Sequence, residues 1–229
     1  YNSTEQPGFW VSGFYGSGKS HLVKMAGYLW SNCEFPNGTT ARNIKPLPQD
    51  IKDLFTEIDR KQHIQGKLTI AGTLRDFPSK DIYYSFLQLL LNSLGYPQQY
   101  HHFKFVYWAK KEGIYDGLKA IIESAGRNFS KEIENLFVSS VLSKAVLQLM
   151  PDIAENEMKL KDLFKVQFPR METIGRLEFV NTIKDEILPL SFGEKIPCTI
   201  IILDEVQQFI GNDANIAFDV QCLAEDLCS

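Results

Sequence analysis

FWVSGFYGSGKSHLVK, residues 9–24, is the stretch on which the reading of this chain turns. Gly13, Gly18, Lys19 and Ser20 satisfy G-x-x-x-x-G-K-[ST], the spacing of a phosphate-binding P-loop. The spacing has a chemical reason. A short apolar strand, Phe9-Trp10-Val11, is expected to end at Ser12 and Gly13, and the loop then wraps an anion with its backbone N–H groups inward. Gly13, Gly16 and Gly18 permit the positive φ angles and close approach that such a cradle needs. Lys19 would pair with the β- and γ-phosphates of a nucleotide as a point charge, and Ser20 would offer its hydroxyl to Mg²⁺. A helix begins at this point, and its N-terminal dipole favours phosphate. Leu22, Val23, Met25, Ala26, Leu29 and Trp30 give that helix an apolar stripe.

The second landmark is CTIIILDE, residues 198–205. Ile200, Ile201, Ile202 and Leu203 make a strand expected to be buried on both faces, and Cys198 at its head is expected in the core. Asp204 and Glu205 stand at its C-terminal end, where open α/β sheets bind ligands. An apolar run ending in two acids is the Walker B pattern. Asp204 would hold Mg²⁺, through water, and Glu205 would orient or deprotonate the attacking water. Gln207 and Gln208 are open to two readings, contact with phosphate or a neighbouring subunit, and plain solvent exposure.

The 229 residues, 44% hydrophobic and 23% charged, suffice for one sizeable domain or two small ones. A net charge of −4 argues against a broadly basic nucleic-acid surface. No apolar run reaches the length of a membrane span, and no signal-peptide pattern follows Tyr1. The start is that expected of a segment cut from a longer protein, or of one whose disordered lead is left out. Cys33, Cys198, Cys222 and Cys228 form no C-x-x-C and no zinc spacing, which suits free thiols in a reducing cytoplasm. Residues 51–64 read as a short helix and KLTIAGT, residues 67–73, as a strand. Arg75 and Asp76, in the next loop, could reach a nucleotide, although solvated loop charges are the simpler reading. Ser79 is the expected N-cap of a helix over about 80–94 that is apolar on most sides and therefore buried. From there to about 197 the pattern is helical. Asp152 with Glu155 resembles a capping box. Adjacent His101 and His102 do not share a helix face and make a poor metal pair. Tyr100, Phe103, Phe105, Tyr107 and Trp108, interleaved with Lys104, Lys110 and Lys111, could stack on nucleic acid but more simply form the packed side of a helix. A last helix is expected over about 214–227.

WVSGFYGSGKSHLVKMAGYLW together with IILDEVQQFIG resembles the P-loop ATPase subunits, of the BrxC type, of bacterial BREX phage-defence systems. The resemblance implies an α/β fold: a P-loop NTPase with a mostly parallel sheet, AAA-like, spanning 1–229 and incomplete at its C-terminal side, with a large helical insertion over 97–196. Carried over, Gly13, Tyr15, Gly16, Ser17, Gly18, Lys19 and Ser20 form the ATP-phosphate site. His21 belongs to the same block, though its place in the first helical turn also suits packing. Ser20 and Asp204 become the metal residues, and Lys19 and Glu205 the catalytic ones, with ATP and Mg²⁺ as cofactors. The sensor strand, arginine finger and lid of that class have no assignable residues before Ser229. The implied partners are other BREX subunits, with DNA contact in the full-length assembly, homo-oligomerisation and no membrane. Two readings remain: a Mg²⁺-dependent ATPase driving a defence complex, and a nucleotide-gated scaffold with little turnover.

Overall fold

The computed structural model describes residues 8–14, 16–77, 79–195 and 197–228. In chain order the elements are α1 (Lys19–Ser31), α2 (Gln49–Gln65), β1 (Lys67–Thr73), α3 (Ile82–Ser93), α4 (Tyr100–Lys111), α5 (Tyr115–Ser124), α6 (Phe129–Glu134), α7 (Ser140–Leu149), α8 (Glu157–Gln167), α9 (Arg176–Asn181), a π-helical turn (Thr182–Ile187), α10 (Leu188–Phe192), β2 (Cys198–Asp204), α11 (Val206–Ile210) and α12 (Ala214–Cys228). They divide into two compact units, one made of the residues up to Ser93 with those from Ile174 onward, the other of Leu94–Thr173.

The first unit holds the sheet. β1 and β2 run parallel, in register from Lys67 opposite Cys198 to Thr73 opposite Asp204. Both C-terminal ends, and the loops that leave them, therefore lie side by side. α1 packs on both strands, so closely that a Cβ on Gly27 would stand 3.0 Å from Ile202 Cδ1. α3 packs on β1 and is buried along Ile82–Leu91, as its all-round apolar sequence predicts. Phe179 of α9 meets Tyr83 and Phe86 edge-on, with centroids 5.1 and 6.0 Å away. Arg176 forks onto Asp226 of α12 at 2.6 and 2.8 Å, and Tyr83 donates to the same carboxylate.

This architecture corrects the expected fold class. Helices dominate, and among the described residues the sheet has two strands; it is not the mostly parallel sheet of an AAA-like P-loop NTPase. The expected strand Phe9-Trp10-Val11 pairs with neither β1 nor β2, and Phe9 and Trp10 are 86% and 63% exposed. Three apolar residues carry strand propensity, but a strand also needs a ladder partner. β2 is not buried on both faces either: Ile202 alone is fully buried, and Cys198 is half-buried. Its apolar run meets α1 and, less extensively, α2, which leave Ile200, Ile201 and Leu203 half-buried.

Two caps also differ from expectation. Asp81, not Ser79, starts α3, its Oδ1 accepting the Tyr84 N–H at 2.8 Å, while Ser79 Oγ accepts from Asp81 N. Asn156, not Asp152, caps α8 through the Lys159 N–H at 3.0 Å; Pro151–Ile153 is a 3₁₀ turn. The cysteines are free, and no described helix is long and apolar enough to cross a membrane.

The second unit, α4 to α8, packs around Phe105, Leu118, Ile122, Leu142, Val146 and Phe164. Tyr100, Phe103 and Phe105 are buried, Lys104 lies over Tyr100 and Tyr107, and Lys110 over Tyr96 and Tyr115. The aromatic–lysine run of α4 is thus largely spent on packing. Adjacency does not part His101 and His102: both are buried, with ring centroids 4.0 Å apart, and His101 stacks on Phe137.

Candidate functional site

α1 and the parallel register build the site together. Gly18, at φ 85°, turns the chain left-handed to start α1, and Gly16, at φ 78°, opens the loop before it. No side chain caps the start of α1, since its N-cap residue is Gly18. α1 lies across the sheet, which brings its second residue to the end of β2. There Ser20 Oγ donates to Asp204 Oδ1 at 3.0 Å, a contact between residues 184 positions apart. Asp204 Oδ1 also accepts the Glu205 N–H at 2.9 Å.

Lys19 closes the loop. Its Nζ donates to the Gly13 and Phe14 carbonyls at 2.9 and 2.8 Å. The ammonium therefore sits at the loop's mouth and holds it shut on itself; an incoming anion would compete with two neutral carbonyls for that charge. Gly16, Ser17 and Gly18 are exposed around it, and Phe14 is 91% exposed. A Cβ on Gly13 would press on Ser17 Oγ at 3.1 Å. His21 lies exposed in the first turn of α1. Tyr15 lies outside the described residues.

Glu205 is one of two described non-glycine residues with positive φ, at 56°. A glutamate there costs about 1 kcal/mol or more and persists when its surroundings fix it. Its side chain meets Arg75. Leaving β1 through the 3₁₀ turn Leu74–Asp76, Arg75 donates from Nη1 to Glu205 Oε2 at 3.3 Å and to Gln208 Oε1 in α11. The loop charge that sequence left ambiguous thus meets Glu205. The signal was the strand pairing: once Thr73 stands opposite Asp204, Arg75 and Glu205 leave neighbouring strand ends.

Do these residues suit Mg²⁺? The ion takes hard oxygen donors at about 2.1 Å in an octahedron, which sets neighbouring ligands about 3.0 Å apart. Ser20 Oγ and Asp204 Oδ1 have that separation, 3.0 Å, and are both oxygen donors. The fit is that of two adjacent ligand positions, the rest left to water or phosphate. Among the described residues no group of three or more His, Cys, Asp or Glu side chains is placed to hold a metal ion. No protein-family profile matches the chain, and no solved structure matches it significantly.

Proposed function

We propose that this chain binds MgATP at the residue 13–20 loop and hydrolyses it, as the ATPase subunit of a cytoplasmic anti-phage complex of the BREX type. The observation that carries the nucleotide reading is the 3.0 Å contact of Ser20 with Asp204. A serine after a Gly-Lys pair and an acid after an apolar strand have no local reason to meet. The defence role, the other BREX subunits as partners, DNA contact and homo-oligomerisation rest on the sequence resemblance.

The residues divide the work as follows. The loop N–H groups and the start of α1 receive phosphate oxygens. Lys19 exchanges its two carbonyl acceptors for the β- and γ-phosphates. Ser20 and Asp204 would hold Mg²⁺, which supplies charge neutralisation across those phosphates. Glu205 accepts the proton of the attacking water as that water bonds to the γ-phosphorus and the bridging oxygen of ADP departs.

The test is binding and turnover measured separately on the full chain. Lys19→Ala should weaken MgATP binding by about tenfold or more, the loss of one charge-assisted contact. Glu205→Gln should retain binding and lose hydrolysis. Unchanged affinity in Lys19→Ala would overturn the phosphate site. Glu205→Gln that still protects cells from phage would favour the nucleotide-gated scaffold instead.

A further inference from the structure

We propose that Arg75 is the positioning residue for Glu205, anchoring one carboxylate oxygen so that the other meets the attacking water. The inference rests on the hydrolytic reading above and adds a residue to it. A general base works when a third group fixes its orientation. Glu205 has the need: its side chain is 42% exposed and its backbone is in the left-handed region at a strand end, so packing alone does not hold the carboxylate. Arg75 has the means. Its guanidinium reaches Oε2 at 3.3 Å from the adjacent strand's loop, and the bond is monodentate, which leaves Oε1 for a second partner.

Arg75 is itself held. Gln208, the third residue of α11, accepts from the same Nη1, and the Arg75 backbone N–H is turned onto Thr73 Oγ1 at 3.4 Å. Thr73 is the residue paired with Asp204. The chain of contacts Gln208–Arg75–Glu205 therefore ties the base to the same strand ends that carry the metal acid. An ion pair with both side chains about half exposed adds little to folding. Its removal should be felt in the chemical step and not in stability, which separates positioning from a structural role.

The experiment compares wild type, Arg75→Ala, Arg75→Lys, Gln208→Ala and Glu205→Gln in the full chain, for MgATP affinity, kcat, KM and melting temperature. Arg75→Ala should lower kcat by about 10- to 100-fold, the usual effect of a misplaced reacting group. KM, affinity and melting temperature should hold. Arg75→Lys, which keeps one donor, should recover part of the loss, and Gln208→Ala should lose less than Arg75→Ala. In the Glu205→Gln background Arg75→Ala should change nothing further. Wild-type turnover with an unaltered or faster Arg75→Ala overturns the positioning role and leaves the ATPase reading intact. Binding without any wild-type turnover also overturns it, since no base then needs orienting. A wild type that binds no MgATP removes the phosphate site itself and the inference with it.

Discussion

Acid should destabilise the Leu94–Thr173 unit as pH falls from 6.5 towards about 4, because two buried histidines refuse protons there. His101 and His102 are 6% and 8% exposed, and each is held down to about 4 from the usual 6.5. Burial is the main cause for both. For His101 the neighbouring His102 and then Arg170 add to it; for His102 Arg170 adds to it, while a hydrogen bond with the Glu134 backbone works the other way. His101 Nδ1 is buried with no hydrogen-bond partner among the described residues, so a proton there gains nothing to offset its charge. In the unfolded chain both rings take up protons as pH falls through 6.5, whereas in the folded chain they do not until about 4. The unfolded state binds more protons in that window, so stability is full above it and falls as pH drops. At about pH 5 each ring withholds about 2 kcal/mol. Because the rings are 4.0 Å apart and not independent, the pair is worth about 2–4 kcal/mol. Urea unfolding followed by Trp108 fluorescence, with Trp10 and Trp30 replaced by phenylalanine, reads this unit. His101→Phe and His102→Gln should each flatten the pH slope, and together abolish it. A stability that stays level from about pH 7.5 to about pH 5 in the parent would refute the argument, whatever the variants do.

Two further substitutions probe the packing. A Cβ on Gly72 would stand 2.6 Å from Leu89 Cδ1, between β1 and buried α3, so Gly72→Ala should cost about 1–3 kcal/mol in urea unfolding. Adding Leu89→Ala should then cost less than it does alone, and additive losses would contradict the clash. Ser139 does two jobs: its Oγ accepts the Leu142 N–H at 2.9 Å as the cap of α7, and it donates to the buried Glu132 carboxylate, whose pKa it holds low, against burial and with help from Arg127. Ser139→Ala should lose about 2–4 kcal/mol, a cap plus a hydrogen bond to a buried charge, and Ser139→Thr much less. Equal losses in the two variants would assign the effect to packing alone.

What sequence could show depended on whether the deciding contact was local. KLTIAGT became β1 with the expected bounds, and the strand read over Ile200–Leu203 became the longer β2, because a β-rich apolar run between breakers has few other uses. α3 was legible because its apolar residues cover most sides of a helix, the pattern of a buried one. The caps failed where polar residues crowd together. Ser79 and Asp81 both suit the start of α3, and Asp81 prevails where its second oxygen also accepts the Ile174 N–H at 3.3 Å, from 93 residues away. Residues 9–11 failed for want of a partner strand, which no window of three residues can reveal. The histidine pair was read from helix geometry alone, on which neighbours diverge; in the structure burial takes both rings.

The site divides along the same line. Lys19, Ser20, Asp204 and Glu205 stood out because the phosphate and metal chemistry proposed for them restricts residue types tightly at fixed spacing. What brings them together is not in the motifs. α1 reaches the end of β2 because Gly27 lets it lie against Ile202, and β1 brings Arg75 to Glu205 because Thr73 pairs with Asp204. A one-residue slip of that pairing would part Arg75 from Glu205 while leaving every motif intact. The motifs name the residues of the proposed chemistry, and a two-strand register with one close helix contact decides which of them meet. The register therefore carries the functional argument as much as the lysine does: the chain could keep its glycine loop and its two acids and still lose the 3.0 Å meeting of Ser20 with Asp204.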